Sequence, residues 1–462
     1  MFPKILKSLL SGNEIVGYDQ KEIIYPYSGA SSCFFEYARA ISIQPFAAPD
    51  ELSVFRSDLS VAARSLHSRL EREKDSILRT VADETGSPIT YHAEDMEGAC
   101  IFLTKLSYLE KLLPKKYLSE PKGNVLLNLS ANEPIIVTTI LTLTALFLGN
   151  TVFIKPSSKT PSYAYFLVKE LTKNPALKNR VHFLLTDREE IERLIRAKSF
   201  DFVLSLGSSA TNKKLMVLCA ECDTEFLPES EGNDWCYVDR KSGSLKKISS
   251  IIAESFTKHN GQMCNAVRGI MVHEEVYDVF LELLKKRVRS FSVGSPRLST
   301  THIGALLQGT QIQADNLVRE AGERAEEVWN YSVKNNVINP TLILNPDEQT
   351  PILSETVFAP VLWIKKVRDH DQAISFYQEK NMHGLGFSLF SYNKKVVDDF
   401  VHCIRVGRIN INKHPLKTGL FDPLGGILLS GHGGPRHWVE RFSNREFINR
   451  FFPKTRKTSR RA

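Results

Sequence analysis

Between Leu59 and Glu84 the apolar residues Leu59, Ala63, Leu66, Leu70, Ile77 and Val81 recur near helical spacing with charges between them. That pattern predicts amphipathic helix on the outside of a larger body. Beyond Gly123 the texture changes. Short apolar runs, NVLLNL, TVFIK, VHFLL, DFVLSL and TEFL, alternate with helical stretches starting near Ile135, Ser162, Asp187 and Ala210. Strand and helix alternating in this way predict a parallel, doubly wound α/β sheet. A second alternating unit follows. WCYVD and GIMVH read as strands, Leu245 to Lys258 and EEVYDVFLELLKKRV as helices, and after NPTLIL and VFAPVLWIKKV the helix DQAISFYQEKN and the strands GFSLFS and RININ complete it. The boundary between the units is expected just after Leu227. The most apolar run, Ile135 to Leu148, is fourteen residues long and holds four threonines. A bilayer needs about 20 apolar residues, so this run is expected as a buried helix and no membrane partner is expected.

Composition sharpens this picture in three ways. The 462 residues exceed the length of about 250 to 300 at which single cores stop growing, so two or more domains are expected. The net charge of +8 comes from 60 basic against 52 acidic side chains, and five of the positive charges sit in the last ten residues, PKTRKTSRRA. That segment reads as a solvated basic tail. With no basic block interleaved with aromatics elsewhere, no nucleic-acid partner is expected. The seven cysteines are odd in number and scattered, among them Cys33 near the N-terminus, which argues for reduced thiols and a cytoplasmic location. Only Cys219 and Cys222 form a CxxC, with no second pair or nearby histidine, and no metal site is expected. The N-terminal MFPKILKSLLSGNEIVGYDQ lacks the apolar core and small-residue cleavage site of an export signal.

Residues that follow strands carry the candidate chemistry, because open sheets bind ligands beyond the carboxyl ends of their strands. NLSANEP places Asn132 after the first strand, FIKPSSKTP places Lys155 after the second, SLGSSAT places Gly207 and Ser208 at a strand-to-helix turn, and PESEGND places Glu229 after the fifth. Taken in order with KHNGQMCNAVRG around Cys264, VFAPV, NMHGLGFSLF and PLGGILLSGHG, they resemble the NAD(P)-dependent aldehyde dehydrogenase superfamily over roughly residues 55 to 452.

The resemblance implies a doubly wound cofactor-binding domain at 1–227, with an oligomerisation hairpin near 114–124. It implies an α/β catalytic domain at 228–424, and a final segment, 425–462, that returns to the first domain with an oligomerisation strand and the basic tail. The reaction implied is oxidation of a small aldehyde to a carboxylate in a homodimer or homotetramer. Cys264 matches the nucleophile, whose thiolate is the active form. Asn132 matches the side-chain donor to the carbonyl oxygen, and Glu229 the base that activates water. Lys155 and Pro156 match residues beside the adenosine ribose, Gly207 and Ser208 the turn that faces the pyrophosphate at a helix N-terminus, Phe358 the aromatic near the nicotinamide, and Gly425 with Gly426 a turn near the site. The cofactor is NADP or NAD. The reading leans to NADP, because Ser158 stands where NAD-preferring relatives commonly carry a glutamate.

The chain lacks a GxGxxG fingerprint, as the family does. Three departures accompany the match. Ser230 and Glu231 replace an apolar residue and a glycine beside the base. Thr356 stands where the family has a ribose-holding glutamate, and Glu355, one place earlier, points elsewhere if the strand is regular. Glu133 replaces an aromatic after Asn132. Two other readings stay open: a CoA-acylating relative, against which Glu229 argues, and a catalytically idle binding protein.

Overall fold

The computed structural model describes residues 3, 5–15, 17–31, 34–113 and 117–447; Cys33 and the basic tail lie outside the described residues. Helix α1, Leu52–Thr85, is a single helix of 34 residues, and all six residues of the expected apolar stripe are buried along it. Helix α2, Ile89–Thr104, packs against α1. The long apolar run forms α3, Pro134–Phe147, whose four threonines are all buried. No described helix is long and apolar enough to cross a membrane.

Five parallel strands make the first sheet: β1 (Asn124–Asn128), β2 (Thr151–Lys155), β3 (Val181–Phe183), β4 (Phe202–Leu206) and β5 (Glu225–Glu229). Their spatial order is 5-4-1-2-3. Helices α4 (Ser162–Leu171), α5 (Arg188–Arg196) and α6 (Ser209–Glu221) connect the later strands. Because successive side chains of a strand point to opposite faces, Val125 and Leu127 enter the core shared with α1 to α4, while Leu126 enters the core shared with α5 and α6. The strand order reverses between β1 and β4, and the crevice beyond their carboxyl ends is where such sheets hold ligands. Short strands near the N-terminus, which the hydrophobic pattern did not announce, extend the far edge: Leu9–Leu10 pairs antiparallel with β3.

The second sheet is built from β6 (Asp234–Val238), β7 (Val267–His273), β8 (Thr341–Leu344), β9 (Val361–Val367), β10 (Gly386–Phe390) and β11 (Arg408–Ile411). Their order is 8-9-7-6-10-11 and all are parallel, with Glu327–Trp329 antiparallel on the outer edge of β8. Cys236 and Val238 face α7 (Leu245–Thr257) and α8 (Glu274–Arg289); Trp235 and Tyr237 face the opposite core with Phe376 and Phe400. Only residues 230–233 separate the end of β5 from the start of β6. The carboxyl ends of the first sheet therefore meet the amino ends of the second.

The segment expected as a hairpin near 114–124 supplies one described strand, Tyr117–Pro121. Its antiparallel partner is Ser443–Phe447 of the same chain; residues 114–116 and 448–462 lie outside the described residues. Ile427–Leu428 still pairs with His383–Gly384, and the chain rejoins the first core at Val439 and Phe442. Asn150, fully buried, holds this return in place. Its Oδ1 accepts from Gly123 N at 3.1 Å, and its Nδ2 donates to Ala145 O at 2.9 Å and Phe442 O at 3.0 Å. Each buried polar group left unsatisfied costs about 1 to 3 kcal/mol. Asn150→Ala is therefore expected to lose at least about 2 kcal/mol of stability, read as a lower denaturation midpoint at unchanged slope.

Candidate active site

A cavity of about 730 Å³ opens where the two sheets meet. From the first sheet it takes Asn132, Glu133, Lys155, Ser158, Gly207, Ser208 and Glu229, all at or beyond the carboxyl ends of strands. From the second it takes Cys264, Phe358, Leu385 and Arg408, all at or before the amino ends of strands. Of the residues singled out from the sequence, Asn132, Lys155, Ser158, Gly207, Ser208, Glu229, Cys264 and Phe358 share this cavity. Pro156 is buried beside it and does not line it. Gly425 lines it as well.

Backbone contacts place Cys264. Gly232 N donates to Cys264 O at 3.0 Å, and a Cβ on residue 232 would come within 2.6 Å of that oxygen. Only glycine permits the approach. The buried Arg268 spans the loop from the other side: its Nη2 donates to Met263 O at 2.9 Å, its Nη1 donates to Gly261 O, and its guanidinium lies 5.2 Å from the Phe358 ring centre. Cys264 as a residue is half-buried. Burial pushes its thiol up to about 12, with the carboxylates of Glu133, Asp234 and Glu229 acting in the same direction against Arg408.

Glu229 ends β5 with its side chain 11 % exposed. Burial lifts its carboxyl to about 7, opposed by Arg441 and by the Gly426 N–H. Arg441 Nη1 stands 2.8 Å from Glu229 Oε1, an ion pair outside hydrogen-bond alignment. The same guanidinium donates from Nη2 to Leu424 O at 2.8 Å and Gly434 O at 2.6 Å, so it also shapes the loop over the cavity. The substitutions beside Glu229 pin its backbone. Ser230 N donates to Ser430 O at 2.9 Å, and Ser230 Oγ accepts from Asn212 Nδ2 at 2.9 Å.

Glu231 carries the largest departure. One carboxylate oxygen accepts from Ser209 N at 2.6 Å and the other from Ser209 Oγ at 2.8 Å, while Ser208 Oγ caps the same helix by accepting from Thr211 N at 3.2 Å. The first turn of α6 thus already holds an anion, as a helix N-terminus favours. Asn132 Nδ2 reaches Glu133 Oε2 at 3.5 Å. Thr356 Oγ1 donates to Gly232 O at 3.2 Å, and the exposed Glu355 follows a 3₁₀ turn, so strand alternation does not set its direction.

Arg408, Arg441 and the anchoring role of Glu231 escaped sequence reasoning. Arg408 opens its strand and Cys264 precedes its own, and a rule that watches only residues following strands passes over such positions; its motif alone marks Cys264.

Two α/β sheets meet end to end, with a thiol, a side-chain amide and a carboxyl around one cavity at their junction. Residues 60–448 match the Aldehyde dehydrogenase family, and the chain belongs to that family. It is 25% identical over 309 residues to a 3-sulfolactaldehyde dehydrogenase of Priestia aryabhattai, covering 66% of this chain and 64% of that one. It is 23% identical over 387 residues to a D-glyceraldehyde dehydrogenase (NADP(+)) of Thermoplasma acidophilum, covering 78% and 76%. The match to the first of these thus spans a little under two thirds of the relative's length. The lactaldehyde dehydrogenase of Escherichia coli superposes with a TM-score of 0.87 at 18% identity, covering 96% of this chain and 98% of that one. Aldehyde dehydrogenase 21 of Physcomitrella patens, in complex with the reaction product succinate, gives the same TM-score, identity and coverage. These two structures share the fold.

With the Cys264 thiol pushed up, the protein without ligand carries little thiolate at neutral pH. Alkylation of Cys264 by iodoacetamide near pH 7 is expected to be on the order of 100-fold slower than that of an ordinary thiol of pKa about 8.5. Its rate is expected to keep rising at about pH 10, where an ordinary thiol has levelled off. Mass spectrometry of the Cys264 peptide across pH checks this; a plateau near pH 8 contradicts it.

Proposed function

We propose that the protein oxidises a small aldehyde to the carboxylate with NAD(P)+, through a thioester on Cys264. The observation that carries the reading is the convergence of Cys264, Asn132 and Glu229 on one cavity that also holds the Gly207–Ser208 turn and Lys155. Activities named for relatives, on 3-sulfolactaldehyde and D-glyceraldehyde, support small polar aldehydes as the substrate class. The cavity suits a dinucleotide: Lys155, Ser158 and Lys159 line one part of it and Phe358 lies nearer the thiol's loop. When bound, the nicotinamide supplies a hydride acceptor.

The chain's own groups do the rest. The Cys264 thiol gives up its proton to water as its sulfur adds to the aldehyde carbon, and the Asn132 amide donates to the oxygen on which charge develops. After hydride leaves that carbon, a water attacks the thioester, Glu229 accepts its proton, the C–S bond breaks to release a thiolate, and return of that proton restores the thiol and the Glu229 carboxylate. Glu229 lies near 7, so its basic form builds up as pH rises through that value and deacylation is expected to accelerate over the same range. A homodimer or homotetramer is proposed on the Tyr117–Pro121 and Ser443–Phe447 ribbon, whose outer edges pair with no further strand among the described residues, and a cytoplasmic location is proposed on the reduced-thiol composition.

Incubation with an aldehyde panel, with and without CoA, followed by nicotinamide absorbance, tests the reaction. Cys264→Ser is expected to abolish reduction of the cofactor. Glu229→Gln is expected to release about one NAD(P)H per site and then stall, with an acyl mass on the Cys264 peptide. Turnover unchanged in either variant, or strict dependence on CoA, overturns the mechanism; a wild type that binds the dinucleotide yet reduces none favours an idle role.

Cofactor choice rests on two positions. Ser158 leaves room for a 2′-phosphate beside Lys155, whereas Lys159 Nζ is already bonded to Gln308 O at 2.6 Å. Glu231 opposes any phosphate at α6, since like charges about 4 Å apart repel by roughly 1 to 4 kcal/mol. Glu231→Gln is expected to tighten both NAD+ and NADP+ by about tenfold in fluorescence titration. Ser158→Glu is expected to weaken NADP+ selectively. If Glu231→Gln leaves both dissociation constants unchanged, the α6 N-terminus is not where the phosphates lie.

A further inference from the structure

Behind the Cys264 loop lies a cluster the aldehyde chemistry does not use. His92 and Asp95 stand one turn apart on α2, and His259 lies in the short turn that links α7 to Cys264. The two histidines are 0 % and 1 % exposed. His92 Nδ1 is 3.7 Å and His259 Nε2 is 3.4 Å from Asp95 Oδ2, and the two ring nitrogens lie within 4.8 Å of each other. All three atoms are buried with no aligned hydrogen-bond partner among the described residues.

The hydrogen bonds around the cluster assign one of its protons. Thr85 Oγ1 has a single hydrogen and donates it to Val81 O at 2.7 Å. Toward His92 Nε2, 2.8 Å away, it must accept. His92 therefore carries a proton on Nε2, and in the neutral ring Nδ1 turns a lone pair toward the carboxylate. Two acceptors facing each other in a dry interior repel unless a cation lies between them. His259 is held in the same manner on its far side, with Nδ1 2.9 Å from Ser87 Oγ. Ser87, His259 and Asp95 stand in the order of a hydrolytic relay, but Ser87 is 1 % exposed and no substrate reaches it.

We infer that His92, Asp95 and His259 form a binding site for a divalent transition-metal ion of the zinc type. Two imidazoles and one carboxylate are a donor set such ions take. Bonds of about 2.0 to 2.2 Å in a tetrahedron place neighbouring donors about 3.3 to 3.6 Å apart, close to the 3.7 and 3.4 Å measured between each ring and the carboxylate. The hydroxyls of Thr85 and Ser87 on the remote ring nitrogens supply the orienting contacts that metal-bound histidines require. His259 and Asn260 both adopt left-handed backbone, φ 50° and 58°, uncommon for non-glycine residues. Asn260 holds that turn by donating to Gly86 O at 3.0 Å and Ala305 O at 2.7 Å, and by accepting from Gly304 N at 2.7 Å. An ion here ties α2 to the segment that leads into the nucleophile. The cysteine spacing gave no sign of it, because no cysteine takes part and the ligands come from distant parts of the chain.

The full-length protein, stripped with chelator and dialysed, is titrated with Zn2+ by calorimetry and with Co2+ by visible absorption. One tight ion per chain is expected, with a tetrahedral cobalt spectrum lacking thiolate charge transfer. Asp95→Asn and His92→Gln, confirmed as folded by circular dichroism, are expected to weaken binding by about 100-fold or more, whereas Cys264→Ser leaves it unchanged. Absence of tight binding to the wild type, wild-type affinity in both ligand variants, or loss of binding in Cys264→Ser overturns the assignment. Should the ligand variants not fold, zinc-soaked crystals of the wild type decide it: anomalous density between the two rings sustains the site, and density only at Cys264 refutes it. None of these readouts depends on aldehyde oxidation.

Discussion

The hydrogen bond from Gly232 N to Cys264 O, 3.0 Å long, ties the short link between the two sheets to the loop that carries the thiol. It requires residue 232 to have no side chain. Through that contact the end of β5, where Glu229 sits, is held in register with the turn before β7. Arg268 completes the restraint by gathering the carbonyls of Gly261 and Met263. The cavity exists because two parallel sheets meet end to end, and this link is where they are joined.

The charged groups that act on the Cys264 thiol are three carboxylates against one arginine. Glu133, Glu229 and Asp234 all raise the thiol, and Glu133, Glu229 and Asp234 are themselves raised by burial to about 7, 7 and 6. The three carboxylates make ionisation of the thiol harder, while burial leaves Glu133 and Glu229 only partly ionised near neutrality. Arg408 and Arg441 offset part of this, and both are bound to backbone or hydroxyl groups that fix their positions. Chemistry there depends on what a ligand's own charges do to the balance.

At the first turn of α6 the protein supplies its own anion. A helix N-terminus attracts negative charge whatever its source, and the Glu231 carboxylate stands only two residues beyond Glu229. The position that binds Ser209 is therefore mechanically linked to Glu229, since Ser230 between them is anchored to Asn212 and Ser430.

The sequence alone determined the two alternating units, their strands and helices, and the family, because apolar periodicity and short ordered motifs are local properties of the chain. Leu59 to Val81, the α3 run and the strands around Val125 and Cys236 all read correctly from spacing. The sequence also singled out Cys264, Asn132 and Glu229. What only the tertiary structure decided is which groups from distant segments face one another: Arg441 against Glu229, Glu231 on Ser209, Arg408 near Cys264, and His259 against His92 and Asp95. Those pairings depend on how two sheets are set end to end and on which way buried side chains turn. Neither is encoded in the spacing of residues along a strand or helix, and electrostatics in a buried site follows distances that periodicity does not contain.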